Sequence, residues 1–241
     1  MTTILISGAA NGLGAAFVDA YAKKRDTRII AIDRAPLQPA FTNVEPFTVD
    51  VTDETSINTF KQAISDRPID LVIHSAGIRG LVSQFENEKP DDVAACETLE
   101  VMDTATLSHT FHINAIGTFN LVRALLPNLR RAANPKVITM SSRMGSLGNN
   151  ERPNRAAGSA YAYRASKAAQ NAVVRSFAVD VPEVTFVMCH PGRVETKLVR
   201  CREEGAISAE ESVQAMVPLI EGWGREDSGK FFDRFGGVIP W

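Results

Sequence analysis

Short apolar runs alternate with segments of helical spacing along almost the whole of this chain, and that alternation limits the fold more than any other feature. Residues 2–7, 28–33, 47–50, 70–74, 136–140, 185–189 and 230–232 read as strands. Most are rich in β-branched residues, and the longer ones carry no polar alternation, the pattern of strands buried on both faces. Between them, residues 13–24, 53–65, 106–131, 161–180 and 208–220 carry helical spacing. Thr52 is the expected N-cap of the second helix, and Ser208 and Glu211 stand at capping-box spacing. A kink is expected near Pro127. Strands that alternate with helices of this length predict an α/β fold. Right-handed crossovers then build a parallel sheet of about seven strands with helices on both faces.

The 241 residues suit one such domain, and no repeat, low-complexity tract or linker divides them. Residues 1–241 are therefore read as a single unit. Residues 80–101 are acidic, contain Pro90 and lack clear periodicity, which suggests an irregular insertion at the rim of the site. The plainer reading of that stretch is a solvated surface loop. A net charge of −2 argues against a nucleic-acid or anionic-lipid surface. No apolar run approaches the roughly 18 residues that a membrane span needs. The start, MTTILISGAAN, has no basic region ahead of its apolar run, unlike a secretory signal. Cys96, Cys189 and Cys201 share no metal-ligand spacing and fit a reducing cytoplasm, so no metal is expected.

The first strand runs into Ser7-Gly8-Ala9-Ala10-Asn11-Gly12-Leu13-Gly14 and then a helix. A helix N-terminus offers unpaired N–H groups and a positive dipole end to a pyrophosphate. Glycines let backbone approach the ligand closely. No G-K-[ST] follows, so the turn is not a P-loop. Asp33 ends the second strand, 19 residues after Gly14, where a carboxylate would hold a ribose diol and repel a 2′-phosphate. That favours NAD(H). Arg34 next to it could pair with a phosphate, so NADP(H) stays open.

Tyr163 and Lys167 lie four apart, on one helix face. An ammonium there would favour the phenolate and lower the tyrosine pKa, which suits proton exchange with a carbinol or carbonyl oxygen. Ser142 follows the fifth strand, at the carboxyl end of a parallel sheet where ligand chemistry sits. It lies outside a G-x-S-x-G elbow, so a hydrolase nucleophile is poorly supported.

Taken together, these residues resemble the classical short-chain dehydrogenase/reductase family over essentially the whole chain. SGAANGLG resembles the family's T-G-x-x-x-G-x-G turn, with Ser7 for Thr. Asp50-Val51 resembles the pair at the adenine end, and His74-Ser75-Ala76-Gly77 the N-N-A-G motif with both Asn replaced. Pro191-Gly192-Arg193-Val194-Glu195-Thr196 resembles the segment that meets the nicotinamide. The resemblance implies a Rossmann-type doubly wound sheet and an NAD(P)-dependent oxidoreductase. It implies a catalytic set of Asn114, Ser142, Tyr163 and Lys167. Its implied cofactor contacts are Gly8, Asn11, Gly12, Leu13, Gly14, Asp33, Arg34, Asp50, Val51, Ala76, Gly77, Tyr163, Lys167, Pro191, Gly192, Val194 and Thr196. Within the family, SSRMGSLGNN, YAYRASKAAQN and the tail GKFFDRFGGVIPW resemble the C-factor-like and sniffer-like carbonyl reductase branch, which usually prefers NADP(H). The implied partner is a small carbonyl or alcohol substrate, with residues 193–220 as its loop and helix. The implied assembly is a homodimer or homotetramer. A dinucleotide-sensing or signalling protein on the same fold is the alternative. Arg143, Arg152, Arg155, Arg193, Lys197 and Arg200 fall in the expected pocket walls, but loop arginines are more often solvated.

Overall fold

A computed structural model describes residues 1–152 and 158–241. Its seven strands form one sheet in the order β3-β2-β1-β4-β5-β6-β7. They are β1 (Thr2–Ser7), β2 (Thr27–Asp33), β3 (Val44–Thr48), β4 (Leu71–His74), β5 (Lys136–Met140), β6 (Thr185–His190) and β7 (Phe231–Asp233). Every neighbouring pair is parallel. The parallel sheet expected from the alternation, and the Rossmann-type doubly wound order implied by the resemblance, are therefore present.

Period-two alternation sorts the apolar side chains to two faces. Leu5, Ile30, Val72, Val137 and Phe186 point to one layer, covered by α2 (Glu54–Ile64), α5 (Gly117–Leu129) and α6 (Tyr161–Asp180). Ile4, Ile6, Ile29, Ile73, Ile138 and Val187 point to the other, under α1 (Gly12–Ala22) and α7 (Ala209–Gly222). Each fully buried Ile, Leu or Phe contributes about 1.5–3 kcal/mol relative to exposure, so this double layer is the main source of stability. Among the described residues no helix is long and apolar enough to cross a membrane.

Three local expectations need correction. Asp53, not Thr52, caps α2: its carboxylate accepts from the Thr55 N–H at 2.8 Å. Thr52 instead donates its hydroxyl to Asp50 Oδ1 at 2.6 Å. The long helix expected over 106–131 is broken, but not at Pro127. It divides into α4 (Thr104–Phe111), a π-helical turn (His112–Ile116) and α5. Pro127 lies on the exposed side of α5, as does Arg123 one turn earlier, so the carbonyl deprived of a partner meets water. The π-turn inserts one residue per turn and brings Asn114 and Ala115 inward. Residues 80–101 are also more than a solvated loop. They hold α3 (Ser83–Glu88) and a short 3-10 turn (Ala94–Cys96), with Val82, Val93, Cys96 and Glu97 buried.

Candidate active site

The strand order reverses between β1 and β4, and a cleft of about 510 Å³ opens beyond the carboxyl ends of the strands there. Gly8, Asn11, Gly12, Leu13, Asp33, Arg34, Asp50, Val51, Ala76 and Gly77 line one part of it. Ser142, Tyr163, Lys167, Pro191, Gly192, Val194 and Thr196 line the rest. Two expected residues, Gly14 and Asn114, lie behind the wall. Gly14 acts through packing: a Cβ there would sit 2.0 Å from the Gly8 carbonyl oxygen, so only glycine lets α1 close on the turn. Gly8 has φ +68°, and a Cβ on it would meet Ala76 N at 2.8 Å. Asn11, the N-cap of α1, makes no side-chain cap bond, so the first-turn N–H groups remain for a ligand.

Asp33 is held rigidly. Its Oδ2 accepts from Ala10 N at 3.0 Å and its Oδ1 from Ala35 N at 2.9 Å. Each oxygen keeps a second lone pair for the cleft. Asp50 accepts from Thr52 N and Oγ1, bonds that hold its carboxyl below the usual range.

At the other end, Ser142 leaves β5 and opens a single 3-10 turn (Arg143–Gly145). A Cβ on Gly145 would lie 2.9 Å from the Lys167 backbone, so glycine is what seats this turn on α6. The Ser142 side chain thereby faces the Tyr163 phenol and favours its ionised form. Lys167 Nζ donates to the Met140 carbonyl at 2.8 Å and to Gln170 Oε1 at 3.0 Å. Asn114 holds the exit of β4 from both sides: Oδ1 accepts from Ile78 N and Nδ2 donates to Ile78 O, each at 2.9 Å. Nδ2 also donates to Ser166 Oγ at 2.9 Å.

The electrostatics differ from the expectation in one respect. Burial pushes the Tyr163 phenol up, and the groups that pull it back are the Arg79 guanidinium and Ser142, not Lys167. Lys167 is itself lowered to about 7 by burial.

A second set of buried groups had no counterpart in the sequence reading. His74, which replaces the first Asn of the motif, bridges Ser7 Oγ (2.7 Å from Nδ1) and Thr118 Oγ1 (2.8 Å from Nε2). Thr118 has one proton, donated to the Asn114 carbonyl at 2.7 Å, and it also accepts from Gln170 Nε2 at 2.9 Å. His74 must therefore donate from Nε2 and accept the Ser7 proton at Nδ1. The neutral imidazole this requires agrees with burial lowering its pKa to about 3. The chain Ser7–His74–Thr118–Gln170–Lys167 thus ties the glycine turn to the Tyr163 end of the cleft. Two spacings hinted at it: Thr118 lies four after Asn114, and Gln170 three after Lys167.

The arginines of the expected pocket wall mostly answer to the loops themselves. Arg200 meets Glu86 at 3.3 Å, Arg193 donates to the Glu204 carbonyl, and Arg143 lies 4.0 Å from Asp233. Arg155 lies outside the described residues.

A doubly wound sheet, a glycine turn at its switch point and a buried Tyr–Lys–Ser group in the same cleft define an oxidoreductase that works with a nicotinamide cofactor. The short chain dehydrogenase family profile matches residues 2–206, and the chain belongs to that family. It is 36% identical over 187 residues to the C-signal protein of Myxococcus xanthus, covering 77% of this chain and all of that one. It is 30% identical, over the full length of both, to 1-hydroxy-2-glutathionyl-2-methyl-3-butene dehydrogenase of Rhodococcus sp. strain AD45. A carbonyl reductase from Pseudomonas aeruginosa PAO1 superposes with TM-score 0.77 at 26% identity, over all of both chains.

Proposed function

We propose that this protein interconverts a carbonyl and an alcohol on a small molecule, using NAD(H), with Ser142, Tyr163 and Lys167 as catalytic residues and Asn114 as their positioning residue. One observation carries the reading: a single cleft has a rigid carboxylate, Asp33, at one end and the Ser142–Tyr163 pair at the other. The cradle fits a dinucleotide, since the cleft runs past the uncapped N-terminus of α1 and Gly8 and Gly12 of the glycine turn carry no side chain there. Gly12, Leu13 and Asn11 face the pyrophosphate, Asp50 and Val51 the adenine, and Ala76, Gly77, Pro191, Gly192, Val194 and Thr196 the nicotinamide half. The bound nicotinamide supplies or accepts the hydride. Tyr163 gives its proton to the carbonyl oxygen in reduction and takes it back in oxidation. Ser142 donates to the same oxygen as charge develops. Lys167, fixed by Met140 and Gln170, presents its remaining proton to the ribose side. Residues 1–241 form one unit, with 80–101 as a rim and 193–220 as substrate loop and helix.

Binding of NADH and NADPH, with cofactor oxidation across a panel of small aldehydes and ketones, tests this reading. The relation to C-signal supports one alternative, a sensing or signalling protein that binds NAD(H) and turns over nothing on that panel. The two ribose-facing lone pairs of Asp33 lead to a further expectation. Wild type binds NADH more tightly than NADPH, and Asp33→Ala weakens NADH about tenfold, the loss of roughly one charge-assisted hydrogen bond. NADPH binding at least as tight as NADH in wild type would overturn the choice of NAD(H). A cytoplasmic homodimer (or homotetramer) is part of the proposal. Free Cys96, Cys189 and Cys201 suit a reducing compartment. The exposed Phe111, Ile116 and Phe119 offer an apolar face along α4, the π-turn and α5.

A further inference from the structure

Glu97 from the rim and Arg79 from the β4 exit form an ion pair whose side chains are only 8% and 11% exposed. The contact is bidentate: Arg79 Nε donates to Glu97 Oε2 and Nη2 to Oε1, both at 2.8 Å. The remaining nitrogen, Nη1, donates to Met144 Sδ at 3.4 Å, in the turn that Ser142 opens. The guanidinium carbon lies 4.9 Å from the centroid of the Tyr163 ring. The Glu97 carbonyl also accepts from Ala160 N at 2.9 Å, the residue that starts α6. Burying two ions costs several kcal/mol each, and a well-packed apolar pair would hold the rim as firmly. Stability alone therefore does not account for an ion pair at this place.

We propose that Arg79, clamped by Glu97, is a positioning residue for Tyr163, holding a permanent positive charge against the phenol ring so that the tyrosinate is accessible to proton exchange. The inference rests on the reading of Tyr163 as the acid–base group. Its physical ground is a comparison of the two cations. Lys167 Nζ is 5.8 Å from the ring centroid and is committed to Met140 and Gln170. Burial lowers its pKa to about 7. A guanidinium stays charged at every working pH and suits stacking on an aromatic face. The groups that face Tyr163 are Arg79 beyond β4, Glu97 of the rim, Ser142 beyond β5, Lys167 on α6 and Glu203 of the loop after β6. Of these, Arg79 and Ser142 favour the phenolate, and Glu97 and Glu203 oppose it.

The chain has three tyrosines, so the ultraviolet tyrosinate band can be resolved by subtracting the titration of each protein's Tyr163→Phe counterpart. Arg79→Gln raises the Tyr163 midpoint by about one pH unit or more, and Arg79→Lys raises it less. Glu97→Gln, which keeps an acceptor for Arg79 but removes the opposing charge, lowers the midpoint. A merely structural pair would move both variants the same way or neither, and either result overturns the proposal. Should Arg79→Gln fail to fold, Glu97→Gln decides alone: a midpoint that rises or stays put overturns it. An unresponsive midpoint with an inactive Tyr163→Phe removes the Arg79 assignment only. A fully active Tyr163→Phe removes the acid–base reading with it.

Discussion

Tyr163→Phe lowers turnover by about 10²–10⁴-fold, the usual contribution of a positioned general acid–base group, while NADH affinity changes little. Phe keeps the buried ring and its packing beside Arg79 and Lys167. It removes only the hydroxyl that faces Ser142. Ser142 and Lys167 cannot replace it: a serine hydroxyl is too weak an acid, and the Lys167 ammonium is turned to Met140 and Gln170. The measurement is steady-state turnover on the best substrate of the aldehyde and ketone panel, alongside NADH fluorescence titration. Turnover retained within a few-fold would sink the assignment. Burial keeps Tyr163 protonated around neutrality. Reduction, which uses the protonated form, is thus flat at neutral pH and falls only above the tyrosine pKa. Oxidation, which uses the tyrosinate, rises with pH toward the same value.

His74→Ala destabilises the folded chain by about 2–4 kcal/mol, through a cavity and the loss of two buried hydrogen bonds. The Ser7 proton loses its acceptor and Thr118 loses a donor. Urea unfolding measures it, and a loss below about 1 kcal/mol would show that the brace contributes little. The pH dependence gives an independent check. The folded-state pKa of His74 is about 3, against an ordinary value of 6.5. Between those values the unfolded chain binds a proton that the folded chain does not. Stability is therefore complete above about pH 6.5 and falls as the pH drops toward 3, by up to roughly 1.4 kcal/mol per pH unit. His190, lowered to about 4, acts in the same direction over a narrower window. Comparison of His74→Ala with wild type isolates the His74 share, since the variant loses that part of the slope.

The readable parts of the site are those built from short spacings. The glycine turn lies in one strand–turn–helix unit, Asp33 closes the next strand, and Tyr163 and Lys167 share one helix face. Local geometry therefore places them almost as the residues stand in the chain. The break in the long helix was legible as a break but misplaced. Proline is the obvious signal, yet its position on the exposed side of α5 makes it tolerable there. The π-turn comes from inward packing at Asn114, which no local propensity announces.

Burial pattern alone determined the sheet: apolar strands alternating with amphipathic helices have one economical arrangement, and the glycine turn marks its binding edge. Only the tertiary structure decided which charges meet inside it. Arg79 and Glu97 are 18 residues apart, and His74 and Thr118 are 44 apart. Nothing local marks any of the four as buried, because a polar side chain enters a protein interior only when a distant partner satisfies it. That condition belongs to the folded chain, and it is what turned an expected Lys-assisted tyrosine into one flanked by a buried arginine.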